Sequence, residues 1–504
     1  LELPERLHHL LRHHPDHAVE DVDGLADRVA ETARAQGIKP GDAVGIQLPS
    51  GTAFLVLVLG LAKAGARLSL LSTGLRGRSL RHALMEVPTK LLFTTQGSAL
   101  SIGELDNFSA PPLVIFPELD DAAAATSETQ PWAIESWLTA PSAAKTYEAR
   151  MSKTLPEPQP EDTLFYIFTS GTTGLPKATQ CSHRRYVSGI IAEGALFDLT
   201  AEDRMYVVLP MFHIAALSAI GAAISVSASV FIRPKFSASQ FWRDVRTQSL
   251  TALQYLGEIL RYLLAQPPSP QDRPNSLRVM LGAGVTKDVW LEFETRFGPI
   301  HIIESYGSSE GVIGIFNADG VPGSVGRAAP ALEERLAIVA YDVTTEDLER
   351  GPNGRLVPCS EGQPGELIAR LEDRSQFEGY SSAEATAAKL IEGGFEDGDL
   401  WYRSGDLFRQ EEGFYFFVGR LGDTYRWKGE NISAQEVADA LSSLDSVAHS
   451  VVYPVNVPGH EGSAGMALVR LEHDRTFDGQ HVFNALAAEL PVHALPLFLR
   501  IGDG

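Results

Sequence analysis

Residues 169 to 177 read Thr-Ser-Gly-Thr-Thr-Gly-Leu-Pro-Lys and directly follow an apolar run at 164–168. Glycines at two positions allow backbone angles that other residues resist, and they let a ligand approach the backbone closely. Free N–H groups and hydroxyls can surround anionic oxygens, and Lys177 adds a full positive charge. The string therefore predicts a loop over phosphates, with these nucleotide-binding residues: Thr169, Ser170, Gly171, Thr172, Thr173 and Gly174.

This loop is not the common P-loop, in which a lysine and then a serine or threonine directly follow the second glycine. Leu175 and Pro176 separate Gly174 from Lys177, and Ala178 comes next. A plain surface turn is the alternative for such a composition. The whole string resembles the phosphate loop of the adenylate-forming superfamily, whose members join a carboxylate to AMP.

A second segment, Tyr306-Gly307-Ser308-Ser309-Glu310, follows a strand-like run at 301–303. A carboxylate on such a loop can hold the divalent cation that neutralises a triphosphate, and Glu310 is the candidate ligand for Mg²⁺. The resemblance implies that Tyr306 lies along the adenine face. The family pattern Tyr-Gly-x-Thr-Glu differs at Ser309, which keeps the hydroxyl. We predict that the nucleotide contacts Tyr306, Gly307, Ser308 and Ser309.

Two further segments could complete a nucleotide site. A carboxylate suits a pair of ribose hydroxyls, and the resemblance assigns Asp406 that role, although Ser-Gly-Asp is also an ordinary β-turn sequence. It places Arg420 on the ribose and phosphate side. The run at 281–284 is a weak Gly-x-Gly pattern and reads as a tight strand-to-helix turn. By resemblance, its residues Gly282, Ala283 and Gly284 contact adenine.

His213 follows Pro210-Met211-Phe212 after an apolar run and is either structural or a substrate contact. The most discriminating segment, 422–433, resembles the fatty acid transport protein and very-long-chain acyl-CoA synthetase branch of the superfamily. In that resemblance Lys428 lies on the face that turns in for thioester formation. The branch's catalytic lysine near the C-terminus has no counterpart before Gly504, so we expect the small domain to be incomplete.

Composition limits the classes of function. The net charge of −22 argues against a nucleic-acid surface, and two cysteines among 504 residues argue against a disulfide framework or thiolate metal site. The longest apolar run, Ala53 to Ala62, is too short to span a bilayer and predicts a buried helix. We expect an intracellular location, cytoplasmic or peroxisomal. Peripheral membrane association and the oligomeric state stay open.

The elements that must position these residues form an α/β pattern. Short β-rich runs alternate with helix-length amphipathic stretches from about 40 to 310, which predicts parallel sheets covered by helices. Strands, glycines and prolines dominate from about 320 to 420, as in a β subdomain. We predict a large adenylation domain at 1–419, a hinge at 420–423 and a small mobile α+β domain at 424–504.

The resemblance implies an AMP-forming acyl-CoA synthetase that uses ATP, Mg²⁺ and coenzyme A to activate a lipophilic, fatty carboxylic acid through an acyl-adenylate. In this hypothesis Lys177, Glu310, His213 and Lys428 are the catalytic residues. Two alternatives stay open: an adenylating enzyme that loads a carrier protein, and a catalytically silent acyl-binding or lipid-uptake protein.

Overall fold

The computed structural model describes residues 19–105, 108–116, 158–170, 176–308, 310–342, 345, 347–421, 424–427, 430–457, 463–490 and 494–502. Within these ranges, no helix combines the length and the apolar character needed to cross a bilayer. Helices and mostly parallel strands alternate through the first part of the chain, so the predicted α/β class is confirmed.

The first sheet is built from the N-terminal part of the chain. Its elements are α1 (Val19–Ala35), β1 (Ala43–Gln47), α2 (Thr52–Lys63), β2 (Arg67–Leu70), α3 (Gly77–Glu86), β3 (Leu91–Thr95), α4 (Gln96–Gly103), β4 (Leu113–Phe116), β5 (Thr163–Ser170) and β6 (Pro176–Ser182). The described strands lie in the order β4-β3-β1-β2-β5-β6. All neighbours are parallel except β5 and β6, so the predicted phosphate loop connects an antiparallel pair at the sheet edge.

The second sheet follows directly. Its elements are α5 (His183–Leu196), β7 (Arg204–Val207), α6 (Ile214–Ser225), β8 (Ser229–Ile232), α7 (Ala238–Thr247), β9 (Ala252–Leu256), α8 (Gly257–Leu264), β10 (Val279–Ala283), α9 (Lys287–Phe297), β11 (His301–Gly307) and β12 (Gly314–Phe316). The described strand order is β12-β11-β10-β9-β7-β8, and only the β11–β12 pair is antiparallel among them.

One hydrophobic cluster joins the two sheets. It contains Phe54 of α2, Leu68 of β2, Tyr206 of β7 and Leu253 of β9, each fully buried. Strands that are covered by helices on both faces need such continuous apolar runs. The shared core fixes the carboxyl ends of both sheets relative to each other, and ligand sites of open α/β sheets lie at those ends.

The β subdomain packs beside the second sheet. Its elements are α10 (Pro330–Glu333), β13 (Leu336–Val339), β14 (Tyr341–Asp342), β15 (Asp347–Leu348), β16 (Gly365–Leu371), α11 (Ala383–Ala387), β17 (Leu390–Glu392), β18 (Leu400–Glu411) and β19 (Phe414–Arg420). Strands β13-β16-β18-β17 form a sheet, and β19 pairs with β18 through a tight hairpin at Gly413.

The C-terminal part has a hydrophobic cluster of its own, which includes Tyr425, Val437 and Leu486. Its elements are β20 (Thr424–Trp427), β21 (Glu430–Ser433), α12 (Ala434–Ser442), β22 (Val447–Asn456), β23 (Ser463–Leu471), α13 (Gly479–Glu489) and β24 (Phe498–Ile501). The predicted hinge residues Gly422 and Asp423 lie outside the described residues, so the domain boundary stays a prediction.

Helices α5 and α6 pack closely, since a Cβ on Gly221 would lie 2.6 Å from a side-chain carbon of Ile190. Glu193 lies on α5 in this region, and among the described residues no hydrogen-bond partner reaches its Oε1. A carboxylate without a partner is costly to bury, so burial raises the pKa of Glu193 from 4.5 to about 8.

We expect Glu193→Gln to stabilise the fold at high pH. Below pH 4.5 both the folded and the unfolded chain hold the Glu193 proton, whereas between 4.5 and about 8 the unfolded chain alone releases it. Stability of the parent protein should therefore fall across this window relative to the variant, by about 1–3 kcal/mol. Urea unfolding followed by tryptophan fluorescence at pH 5 and pH 8.5 measures the difference. The exposed Glu292→Gln is the control, and a pH-independent difference would contradict the assignment.

Candidate active site

The turn after β10 is shaped by backbone packing. A Cβ on Gly282 would lie 2.3 Å from the carbonyl oxygen of Tyr255, and one on Gly257 would lie 1.8 Å from that of Gly284. Gly284 also has φ of +86°, a region that favours glycine. The predicted strand-to-helix turn is therefore present, and adenine contact by Gly282, Ala283 and Gly284 stays a prediction.

Glu304 of β11 holds this turn. It is buried, and its carboxylate accepts hydrogen bonds from the Tyr255 hydroxyl at 2.6 Å, the Gly284 N–H at 2.5 Å and the Val285 N–H at 3.2 Å. Burial raises the pKa of Glu304 to about 8, and the three donors oppose that shift. Sequence reasoning missed Glu304, although an acid directly after the apolar pair 302–303 was an available sign.

Lys177 and Glu310 meet at one tyrosine. The Tyr380 hydroxyl donates a hydrogen bond to the Glu310 carboxylate, and the Lys177 Nζ lies 5.9 Å from the centre of the Tyr380 ring. Burial and the Glu310 charge raise the pKa of Tyr380 far above its ordinary value, so the hydroxyl remains a donor. Two predicted residues separated by more than a hundred positions are thus neighbours, and Tyr380 is a site residue that sequence reasoning missed.

Arg185 fixes the backbone at Glu310. Its Nη1 donates to the Glu310 carbonyl at 3.1 Å, the Gln180 carbonyl at 2.7 Å and the Glu378 carboxylate at 3.3 Å. Glu378 also accepts from the Ser182 N–H at 2.8 Å, and Ser182 caps α5. The helix that follows the lysine strand therefore anchors the loop that carries the candidate metal ligand.

Asp406 and Arg420 lie opposite each other on β18 and β19, with 3.5 Å between Asp406 Oδ1 and Arg420 Nε. The other Asp406 oxygen accepts the Tyr306 hydroxyl at 2.6 Å. Burial raises the pKa of Asp406, while the Tyr306 hydrogen bond and the Arg420 charge oppose the shift. Tyr306 also packs edge-on against Phe408, so its described contacts are with the β subdomain.

His213 caps the N-terminus of α6, where its Nδ1 accepts the Ala215 N–H at 3.2 Å. Burial lowers the pKa of the imidazole, although the residue as a whole is exposed. Met211, two residues before His213, contacts the end of the first sheet through a 2.9 Å hydrogen bond from its N–H to the Ser50 hydroxyl. The capping role is observed, and the predicted substrate contact of His213 stays a prediction.

The remaining predicted residues are described in part or not at all. Gly307 ends β11, and Ser308 Oγ lies 3.4 Å from the Tyr402 hydroxyl, which donates to it. Thr169 and Ser170 form the end of β5, and only their backbone is described. The predicted residues that lie outside the described ranges are Gly171, Thr172, Thr173, Gly174, Ser309 and Lys428.

A family model described as AMP-binding enzyme matches residues 17–380. The chain belongs to the AMP-binding enzyme family. It is 36% identical to the medium/long-chain-fatty-acid–CoA ligase FadD6 of Mycobacterium tuberculosis, over 95% of this chain and 77% of that protein. It is also 36% identical to long-chain fatty acid transport protein 6 of Mus musculus, over 96% and 78%. The predicted enzyme class, an AMP-forming acyl-CoA synthetase, is confirmed.

Solved structures of AMP-binding enzymes share this fold. ATP-bound MatB from Rhodopseudomonas palustris superposes with a TM-score of 0.78 at 20% identity, covering 99% of this chain and 95% of MatB. The o-succinylbenzoate CoA synthetase MenE from Bacillus subtilis, in complex with its acyl-adenylate, gives a TM-score of 0.72 at 20% identity, over 97% and 90%. The superposition extends over both the large and the small part of the chain.

Glu310 suits a magnesium ion that is shared with a nucleotide. Among the described residues, no group of three or more histidine, cysteine, aspartate or glutamate side chains could form a protein cage for a metal. Mg²⁺ in phosphoryl-transfer enzymes is commonly bound by one or two carboxylates, substrate phosphates and water. A single buried carboxylate that Tyr380 and the Arg185 contact orient fits that pattern.

We expect Tyr380→Phe to raise the Mg²⁺ concentration needed for half-maximal activity, because the Glu310 carboxylate loses the donor that orients it. The loss of one charged hydrogen bond should lower kcat/KM by about 10–100-fold. A Mg²⁺ titration of ATP-dependent pyrophosphate release measures both effects. Tyr415→Phe is a matched control, since Tyr415 donates to Glu333 at 3.1 Å in the β subdomain. Equal behaviour of the two variants would contradict the role given to Tyr380.

Proposed function

We propose that this enzyme activates a lipophilic, fatty carboxylic acid with ATP and Mg²⁺ and transfers the acyl group to coenzyme A. The observation that carries the proposal is the pair of buried carboxylates: Glu310, which shares Tyr380 with Lys177, and Asp406, which faces Arg420. One carboxylate suits a metal on the phosphates, and the other suits a ribose. The names of FadD6 and of the fatty acid transport proteins support a fatty substrate.

In the first half-reaction the nucleotide ribose would bind Asp406, with Arg420 on its phosphate side. The 169–177 loop and Lys177 would surround the outgoing pyrophosphate. Mg²⁺ on Glu310 would neutralise the phosphates and orient the leaving group. The substrate carboxylate attacks the α-phosphate in line, which forms the acyl-adenylate and releases pyrophosphate. The protein contributes mainly positioning and positive charge.

In the second half-reaction the small domain would turn about residues 420–423 and bring the Lys428 face over the site, where the coenzyme A thiol would attack the acyl carbonyl carbon and AMP would leave. One of the described contacts between the two parts is weak. Arg261 of α8 and Asp439 of α12 form one ion pair, at 3.9 Å, and such partly exposed pairs contribute about 0–1 kcal/mol. The Ser433 hydroxyl also donates to the Val418 carbonyl at 2.7 Å.

The bound acyl chain would extend away from the nucleotide along apolar side chains at the strand ends. Leu256 ends β9 and is 42% exposed, which is unusual for a leucine at the carboxyl end of a buried strand. Phe212 and Ile214 flank the His213 cap and pack against the main core. These positions support a lipophilic acid over a charged one.

A bacterial relative fits an intracellular location, and the peroxisomal alternative has no support.

The names of several relatives favour a second candidate, a fatty acid uptake protein in which ligand binding matters more than ligation. Loading of a carrier protein is a third. Formation of free acyl-CoA on addition of coenzyme A would favour the ligase over the uptake protein and over the carrier-loading enzyme.

We expect ATP–pyrophosphate exchange that depends on a long-chain fatty acid, and acyl-CoA formation when coenzyme A is added. Asp406→Ala should lower kcat/KM for ATP by about 100-fold or more, because charged hydrogen bonds to the ribose are lost. Asp42→Ala is the control, as Asp42 pairs with Lys90 at the surface. The proposal fails if fatty, aryl and amino acids all give no exchange.

A further inference from the structure

Lys389 lies between α11 and β17, and its side chain turns inward. The Nζ donates a hydrogen bond to the Ser404 carbonyl at 2.7 Å and lies 5.7 Å from the centre of the Tyr402 ring. Lysines usually keep the ammonium group in water. Neither the resemblance nor the proposed reaction uses this group.

The carbonyl that Lys389 holds belongs to a bulge in β18. Residues 404–406 lie opposite a single residue of β16, because the pairing shifts between Ile368–Arg403 and Glu366–Leu407. Gly405 has φ of +80° there. Bulges near active sites re-aim a side chain, and the last residue of this bulge is Asp406.

Three contacts shape the bulge. Lys389 holds the Ser404 carbonyl, the Glu366 carboxylate accepts the Gly405 N–H at 3.0 Å, and the Ser404 hydroxyl accepts the Asp406 N–H at 3.0 Å. Glu366 is itself fully buried and paired with Arg403 at 2.7 Å. The bulge backbone is therefore held by a cationic donor, Lys389, and by an anionic acceptor, Glu366.

The charges around Lys389 agree with this placement. Burial lowers the pKa of its ammonium group, while the carboxylates of Glu310, Glu366 and Asp406 oppose the shift and the Arg403 charge adds to it. Glu366 already has Arg403 as partner. The Lys389 charge is thus available to offset the repulsion between Glu310 and Asp406, the two carboxylates that the nucleotide needs.

We propose that Lys389 is a positioning residue that holds the 404–406 bulge so that the Asp406 carboxylate faces the ribose hydroxyls of ATP. The inference rests on the proposed function, in which Asp406 binds the ribose. The competing explanation is that Lys389 merely stabilises the strand. The two differ in ribose selectivity, because loss of general stability would weaken the binding of ATP and of deoxynucleotides alike.

The test uses the ribose selectivity, which is the Kd of each deoxynucleotide (2′-deoxy-ATP or 3′-deoxy-ATP) divided by the Kd of ATP, measured by calorimetry without a carboxylic acid. We expect Lys389→Met to lower this ratio at least about fivefold, towards the ratio of Asp406→Asn, whereas Lys389→Arg should keep a ratio near that of the parental protein. Lys90→Met is the matched control, since Lys90 pairs with Asp42 at the surface.

An unchanged ratio in Lys389→Met, with weaker binding of all three nucleotides, would overturn the positioning role. If Lys389→Met does not fold, Lys389→Gln, which is too short to keep the contact with the Ser404 carbonyl, replaces it: a ratio lowered towards that of Asp406→Asn supports the positioning role, and a parental ratio with lower thermal stability refutes it. Selective ATP binding without pyrophosphate exchange would instead sink the proposed ligase reaction and leave the Lys389 result valid. A parental protein that binds all three nucleotides equally would refute the ribose contact of Asp406 and with it the role of Lys389.

Discussion

The arrangement of the site depends on the backbone pairing of residues 378–381 with strand β6. The Gln180 N–H donates to the Gly379 carbonyl at 3.2 Å, and the Ser381 N–H donates to the Ala178 carbonyl at 2.9 Å. This pairing brings the β subdomain to the edge of the first sheet and places Tyr380 between the lysine strand and the loop of Glu310. Main-chain hydrogen bonds of this kind need no particular side chains, so the site rests on a part of the fold that tolerates sequence change.

Electrostatics impose the second constraint. The chain carries a net charge of −22, yet its candidate site must attract a polyanionic nucleotide. The structure concentrates cationic groups locally: Arg185 on the Glu310 backbone, Arg420 beside Asp406, and Lys389 at the bulge. A charged carboxylate is costly to bury unless hydrogen-bond donors or cations face it. Glu304, Glu310 and Asp406 each accept at least one hydrogen bond.

Much of the fold could be predicted because local patterns determine it. The apolar run 53–62 forms helix α2, as predicted, and the strand-like run at 301–303 lies in β11. Motif residues could be paired because their chemistry is specific: Asp406 and Arg420 are indeed neighbours. Tyr380, Arg185 and Lys389 could not be predicted, since their partners lie far away in sequence and the residue types are common. Their roles arise from the pairing of distant strands, which leaves no periodic trace.

The contact between Gly257 and Gly284 has a consequence for how the substrate range of such an enzyme can change. Here the segment that begins α8, beside the exposed Leu256, touches the turn after β10 through backbone atoms alone at this point. Replacement of Leu256, which the proposed function places along the acyl group, would leave this backbone contact in place. The contact between these two glycines would therefore allow the acid specificity to change during evolution while the turn after β10 keeps its geometry.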